Sequence, residues 1–145
     1  MRDRLENYIN LENKRYRLLA DIDILNRRKE EYEPSILNSG IGGARSSGTS
    51  TPTENAALKS IAFFDTIDRE IKIKRKQLAE VERELEFLNQ YISDIPDLQL
   101  QEAIRLHYTQ DVKWNKIAVM WFYSPNSVSS VQKRVYDYLN QTDYT

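Results

Sequence analysis

The chain has 145 residues, with 21 Lys and Arg against 22 Asp and Glu, so its formal net charge at pH 7 is −1. This balance argues against a protein that coats nucleic acid indiscriminately. The absence of cysteine excludes disulfides, thiolate catalysis and cysteine-rich zinc sites, and a single histidine disfavours a histidine metal site. No stretch approaches the roughly 20 apolar residues of a membrane span, and the start lacks a signal-peptide core, so we expect a cytosolic protein.

The first predicted element is an amphipathic helix of about 30 residues. Its stripe advances in alternating steps of three and four residues, with Arg15 and Lys29 interrupting the apolar positions Tyr8, Leu11, Leu18, Ile22, Leu25 and Tyr32. The residue before a proline is disfavoured in the helical region, so we expect this helix to end at Glu33-Pro34. Residues 35–50 are rich in glycine and serine and predict a flexible loop.

A second long helix is predicted to begin at Thr51 and to end at Asp94-Ile95-Pro96. Thr51, Pro52 and Glu54 form the pattern of a capping box, with proline at the first helical position. An apolar seam, interrupted by Lys74, spans four heptads and predicts coiled-coil-like packing. We expect this seam to support oligomerisation through Phe64, Ile67, Ile71, Leu78, Val81, Leu85, Leu88 and Ile92.

Together, residues 1–93 predict a long antiparallel helical hairpin whose two apolar stripes bury each other. Two helices alone leave apolar outer surfaces, and Ile61, Ala62 and Phe63 lie off the main stripe. We therefore expect a homo-oligomer, most simply a dimer. The alternative is that the C-terminal helices fold back on the hairpin.

Residues 94–145 carry three further helical patterns, which complete an all-α fold. The first ends near Asp111, the second is short, and the third begins at Ser124-Pro125, a cap followed by a proline suited to the first helical position. The apolar positions of the three are Leu100, Ala103, Ile104, His107 and Tyr108; Trp114, Ile117, Ala118 and Trp121; and Val128, Val131, Val135 and Leu139. A short helix followed by a sharply started one is typical of a DNA-binding helix-turn-helix domain.

Three segments make the chain resemble the ArpU/RinA-like phage regulators. They are GIGGARSSGTSTPTENAAL at residues 40–58, the long charged helix that follows, and a C-terminal segment similar to the fourth conserved region of sigma factors. The pieces of that last pattern are Ile95-Pro96, Trp114-Asn115-Lys116-Ile117-Ala118 and Ser124-Pro125-Asn126-Ser127-Val128. The resemblance implies a transcriptional activator of prophage late genes that works in the bacterial cytosol, with double-stranded DNA and host RNA polymerase as partners.

In a helix-turn-helix, the first residues of the second helix meet base edges and neighbouring cations contact phosphates. The predicted base contacts are Asn126, Ser127, Ser130 and, more weakly, Ser129. The predicted phosphate contacts are Lys113, Lys116, Lys133 and Arg134, and no acidic residue lies between Asp111 and Asp137. Asn126 has a plainer alternative, since asparagine is common at helix starts.

Other features suggest no chemistry. Basic runs at 27–29 and 69–76 are more often solvated flanks of a helix pair than a second DNA- or polymerase-binding surface. His107 has no partner motif and is expected to pack between helices, so we expect no enzyme, no cofactor and no metal. Two other functions fit the same pattern: a phage small terminase subunit that binds packaging-site DNA, and a helical protein-binding adaptor.

Overall fold

A computed structural model of the chain describes the backbone of residues 1–43, 51–122 and 127–142, with side chains except those of 33–43, 51–56 and 122. Every regular element in these ranges is helical, which confirms the predicted all-α class. The elements are α1 (Arg2–Glu6), α2 (Tyr8–Gly43), α3 (Thr51–Ser93), α4 (Leu98–Ile104), a π-helical turn (Arg105–Thr109), α5 (Trp114–Phe122) and α6 (Val128–Thr142).

The chain divides into two compact units, and one of them is built from both ends of the sequence. The central unit is Tyr16–Glu80, and the terminal unit combines Met1–Arg15 with Val81–Thr145. The expected boundary between residues 93 and 94 does not coincide with this division, because the end of α3 belongs to the same unit as the C-terminal helices.

In the central unit, the apolar faces of α2 and α3 form one core. Ile22 and Leu25 of α2 are buried with Ile67 and Ile71 of α3, and Phe63 packs against this cluster. The stripe spacing explains the core, since side chains three and four positions apart share a helix face.

Two ion pairs flank the core of the central unit. Lys29 Nζ lies 2.9 Å from Asp68 Oδ1, and Lys74 Nζ lies 3.3 Å from Asp21 Oδ2. The later residue of α2 pairs with the earlier residue of α3, so within this unit the helices run antiparallel. Lys74, the one charge on the seam, thus has a carboxylate partner.

Helix α2 runs through Pro34 to Gly43, so the expectation that it ends at Glu33-Pro34 is wrong. Proline removes one backbone donor and kinks or breaks a helix, but neighbouring turns keep their own hydrogen bonds and can continue it. The prediction of a loop at 35–50 is likewise wrong over residues 35–43, because glycine and serine disfavour a helix without forbidding one. Residues 44–50 lie outside the described residues. Helix α3 begins at Thr51 and ends at Ser93 as the sequence predicts.

The terminal unit has the larger set of fully buried side chains, drawn from both segments of the chain. The largest of them are Leu5, Leu88, Ile92, Ile104, Ile117, Val131, Val135 and Leu139. Arg4 joins the segments through Nε and Nη2, each 2.7 Å from an oxygen of Glu84, and this pairing lowers the pKa of Glu84. The Tyr8 hydroxyl donates to Asn89 Oδ1 at 2.8 Å.

The seam of α3 is packed inside this chain. Six of its eight side chains are at most 7% exposed: Ile67, Ile71, Val81, Leu85, Leu88 and Ile92. Phe64 and Leu78 are half-buried. These buried side chains have almost no surface left for a second protomer, so an oligomer of this fold would have to use other residues. An apolar stripe shows only that a helix face is covered, and not which chain covers it.

Candidate nucleic-acid interface

Helix α4 begins with a side-chain cap that also holds α6. Asp97 Oδ1 accepts hydrogen bonds from the backbone N–H groups of Gln99 and Leu100 at 3.0 and 3.2 Å. Arg134 of α6 donates from Nη2 to Asp97 Oδ2 and from Nη1 to Gln99 Oε1, both at 2.7 Å. The Leu100 amide, followed by the Arg134 guanidinium, holds the pKa of Asp97 below its ordinary value. The start of α4 is therefore fixed to the middle of α6.

A π-helical turn and a left-handed residue end this helical segment where the sequence predicts. Asp111 has φ 56°, and the Val112 N–H donates to the Leu106 carbonyl at 3.0 Å. This resembles a Schellman closure, in which a left-handed residue lets the chain reverse and bond back to the last turn. His107 Nδ1 donates to the Val112 carbonyl at 2.8 Å, so its side chain stabilises the same reversal of chain direction. The geometry sets the direction in which α5 departs.

Aromatic rings pack α5 against the π-helical turn and α6. His107 stacks on Trp114 with ring centroids 3.8 Å apart, which agrees with the expected packing role of His107. Tyr136 of α6 meets Trp114 edge-on at 6.1 Å, and the Arg2 guanidinium lies 3.8 Å above the Tyr136 ring. Tyr108 is buried, its hydroxyl has no partner among the described residues, and burial raises the pKa of this phenol.

Helix α6 turns one face to this core and leaves the opposite face in solvent. Val131, Val135 and Leu139 are fully buried, as expected, whereas Val128 is only half-buried. The exposed side chains include Ser129, Ser130 and Lys133, and Ser127 is half-buried just before the helix. The other predicted base contact, Asn126, lies outside the described residues, as do Ser124 and Pro125.

Three of the four predicted phosphate contacts are free to meet an anion. Lys113, Lys116 and Lys133 are exposed and make no side-chain hydrogen bond or ion pair with any described residue. Lys113 precedes α5, Lys116 lies on its first turn and Lys133 lies on α6. Exposed ammonium groups without protein partners are the usual donors to a nucleic-acid backbone.

The fourth predicted phosphate contact, Arg134, is engaged within the protein. Besides its bonds to Asp97 and Gln99, its guanidinium lies 5.6 Å from the centroid of the Trp121 ring. Its side chain is 42% exposed, so it contributes positive charge to the surface although its guanidinium N–H groups are bound to residues at the start of α4. Sequence reasoning missed this role because the partner carboxylate lies 37 residues earlier in the chain.

Helix α5 also presents an apolar surface that sequence reasoning missed. Val119 and Met120 are 43% and 49% exposed, whereas Trp114, Ile117 and Ala118 of the same helix are buried. The sequence of α5 does not indicate which of its apolar side chains remain exposed to solvent, since a short helix can be covered from more than one side.

Within the residues that the structure describes, no group of three or more acidic or histidine side chains is placed to hold a metal ion. Over the same residues, no helix combines the length and the apolar character that crossing a membrane requires. Comparisons with protein-family models, with curated proteins and with solved structures find no match to this chain.

Proposed function

We propose that this chain is a sequence-specific DNA-binding protein that regulates transcription, with α5 and α6 as its helix-turn-helix. The observation that carries the proposal is the set of exposed hydroxyl groups and lysines that α6 and the start of α5 carry, in a stretch of sequence without acidic residues between 111 and 137. Hydroxyls serve donor or acceptor edges of bases, and lysines neutralise phosphates. The function is one of binding and requires no catalytic group.

In this proposal, each part of the surface has a separate role. Asn126, Ser127 and Ser130 contact base edges in the major groove, while Lys113, Lys116 and Lys133 contact phosphates on either side of it. Arg134 acts mainly by holding α6 against the start of α4, so it positions the recognition helix.

Activation of phage late genes and contact with host RNA polymerase follow from the resemblance to ArpU/RinA-like regulators. Two protomers would place their recognition helices about 34 Å apart, or a multiple of it, on a near-palindromic site. Because the seam of α3 is buried in one chain, such a dimer would use exposed apolar side chains such as Tyr16, Leu58 and Ile61, which are 77%, 65% and 59% exposed.

The first test is retention of sheared genomic DNA, host plus prophage, on the purified protein near physiological salt, followed by sequencing of the retained fragments. We expect enrichment of one intergenic segment upstream of a late operon. A flat profile would contradict sequence-specific binding. The Lys113→Gln, Lys116→Gln double variant should weaken binding to every sequence and lower the log–log salt slope by about 1.8, at 0.9 per phosphate contact.

The Ser127→Ala, Ser130→Ala double variant is the matched probe of base contacts, because it removes hydroxyls and no charge. We expect it to reduce the preference for the enriched segment over mixed-sequence DNA while leaving the salt slope unchanged. An unchanged preference would remove these serines from the set of base contacts.

The exposed Val119 and Met120 favour a second candidate function, a protein-binding adaptor. Neighbouring apolar side chains in solvent are more typical of a protein interface than of a phosphate-contacting surface. A salt slope shallower than about −2 for DNA binding would favour the adaptor, since so few phosphate contacts would leave DNA a minor ligand.

A further inference from the structure

The central unit contains a groove along one side of the paired helices α2 and α3. It has a volume of about 290 Å³ and is lined by Asn26, Lys29, Asp68, Ile71, Lys72 and Arg75. The two basic runs of the sequence thus come together here, one from each helix. The sequence alone favours solvated flanks for these runs, because their proximity depends on how the two helices are paired.

The groove carries more positive charge than its own carboxylate neutralises. Lys29 pairs with Asp68 at 2.9 Å, which leaves Lys72 and Arg75 as the excess. Both are exposed and make no side-chain hydrogen bond or ion pair with any described residue. Lys74, between them in sequence, is paired with Asp21 and is not among the lining residues.

The lining chemistry suits a phosphate group. The Arg75 guanidinium presents a planar set of donors that matches phosphate oxygens, and Lys72, three residues earlier and therefore on the same side of α3, adds a mobile point charge. The Asn26 amide provides a neutral donor from the opposite helix. Lys76 follows Lys72 by four residues, and two like charges at that spacing repel each other in the absence of an anion.

We propose that this groove binds phosphates of the DNA backbone and gives the protein a second, sequence-independent DNA contact separate from α5 and α6. The choice of DNA as the source of the phosphates rests on the proposed function. Lys72 and Arg75 make the ionic contacts, Asn26 donates a hydrogen bond, and the Lys29–Asp68 pair joins the two helices that line the groove.

The test measures affinity of the full chain for a mixed-sequence DNA duplex across a range of salt concentrations. The Lys72→Gln, Arg75→Gln variant should show a log–log salt slope smaller by about 1.8, so that wild type loses about twelvefold more affinity than the variant between roughly 50 and 200 mM salt. The charge-preserving Lys72→Arg, Arg75→Lys variant should retain the wild-type slope.

The matched control is Lys14→Gln, Arg17→Gln, which removes two exposed cations of α2 that have no partner among the described residues. We expect its slope to equal that of wild type. An equal loss of slope in the control and the groove variant would show an effect of net charge alone and would overturn the groove. Circular-dichroism unfolding of each variant establishes that the fold is retained.

Comparison with Lys113→Gln, Lys116→Gln separates this inference from the proposed function. If only the groove variant changes the slope, the groove binds DNA and the predicted helix-turn-helix contacts are wrong. If only the Lys113 and Lys116 variant changes it, the groove inference is wrong and the proposed function stands. If neither changes it, both are wrong.

Discussion

Replacing Leu88 by alanine tests whether the seam of α3 is the core of a single chain. Leu88 is 0% exposed and lies in the terminal unit. The change removes three carbon groups, worth about 2.4 kcal/mol at roughly 0.8 kcal/mol each. The cavity adds to this, so we expect the free energy of unfolding to fall by about 3–4 kcal/mol, within the range found for buried leucines. In a single-chain core, this loss does not depend on protein concentration.

Tryptophan fluorescence during urea unfolding measures this loss of free energy in the unit that contains Leu88. The protein has two tryptophans, Trp114 and Trp121, and both belong to the terminal unit. The matched control is Leu98→Ala, which removes the same atoms from a side chain that is 76% exposed. We expect the control to change the free energy of unfolding by less than about 0.5 kcal/mol.

Repeating the wild-type measurement at a hundredfold higher protein concentration tests whether the seam joins two protomers. If the seam joined two protomers, mass action would raise the apparent stability by about 2.7 kcal/mol, and Leu88→Ala would dissociate the protomers. A dimer formed through Tyr16, Leu58 and Ile61 would also gain stability with concentration, but its stoichiometry would be unchanged in Leu88→Ala. A midpoint that does not move supports an intrachain core. A loss in Leu88→Ala no larger than that in Leu98→Ala would show that Leu88 is not buried in solution.

Two further substitutions probe polar groups of the terminal unit. Tyr108→Phe removes a buried hydroxyl that has no partner among the described residues, so the free energy of unfolding should stay the same or rise by up to about 1 kcal/mol. A clear fall in the free energy of unfolding in the urea assay would mean that this hydroxyl is hydrogen-bonded. Asp97→Asn keeps the cap of α4 but removes the charge facing Arg134. Because the pKa of Asp97 is lowered in the folded state, the stability advantage of wild type over this variant should be complete at neutral pH. It should disappear as the pH falls through that lowered pKa. Urea unfolding across acidic pH measures it, and a difference that stays constant would contradict the assignment.

Local sequence signals predict much of the helical architecture. Proline after Ile95 and the capping pattern at Thr51 mark the two ends of α3, and the apolar spacing of α6 predicts the burial of Val131, Val135 and Leu139. These features depend on neighbouring residues, so one sequence is enough to find them. The exposed state of Lys113, Lys116 and Lys133 follows in the same way, since lysine is rarely buried.

Features that depend on distant residues could not be predicted. The pairing of Arg134 with Asp97 requires knowing that the start of α4 lies against α6, and the groove beside Lys72 requires the pairing of α2 with α3. The continuation of α2 past Pro34 escaped prediction for another reason: proline opposes helix formation by a finite free energy that other turns can offset.

The core of the terminal unit can form only after α6 has been synthesised. Helix α1 is made before the central unit, yet it packs against the π-helical turn and α6, which are made after all of residues 16–80. Leu5, fully buried in the folded protein, therefore lacks the side chains that cover it until α6 has been made, while the contiguous central unit can form earlier. A fragment starting at residue 94 would lack α1 altogether, and the Tyr136 ring would lose the guanidinium of Arg2 that covers it.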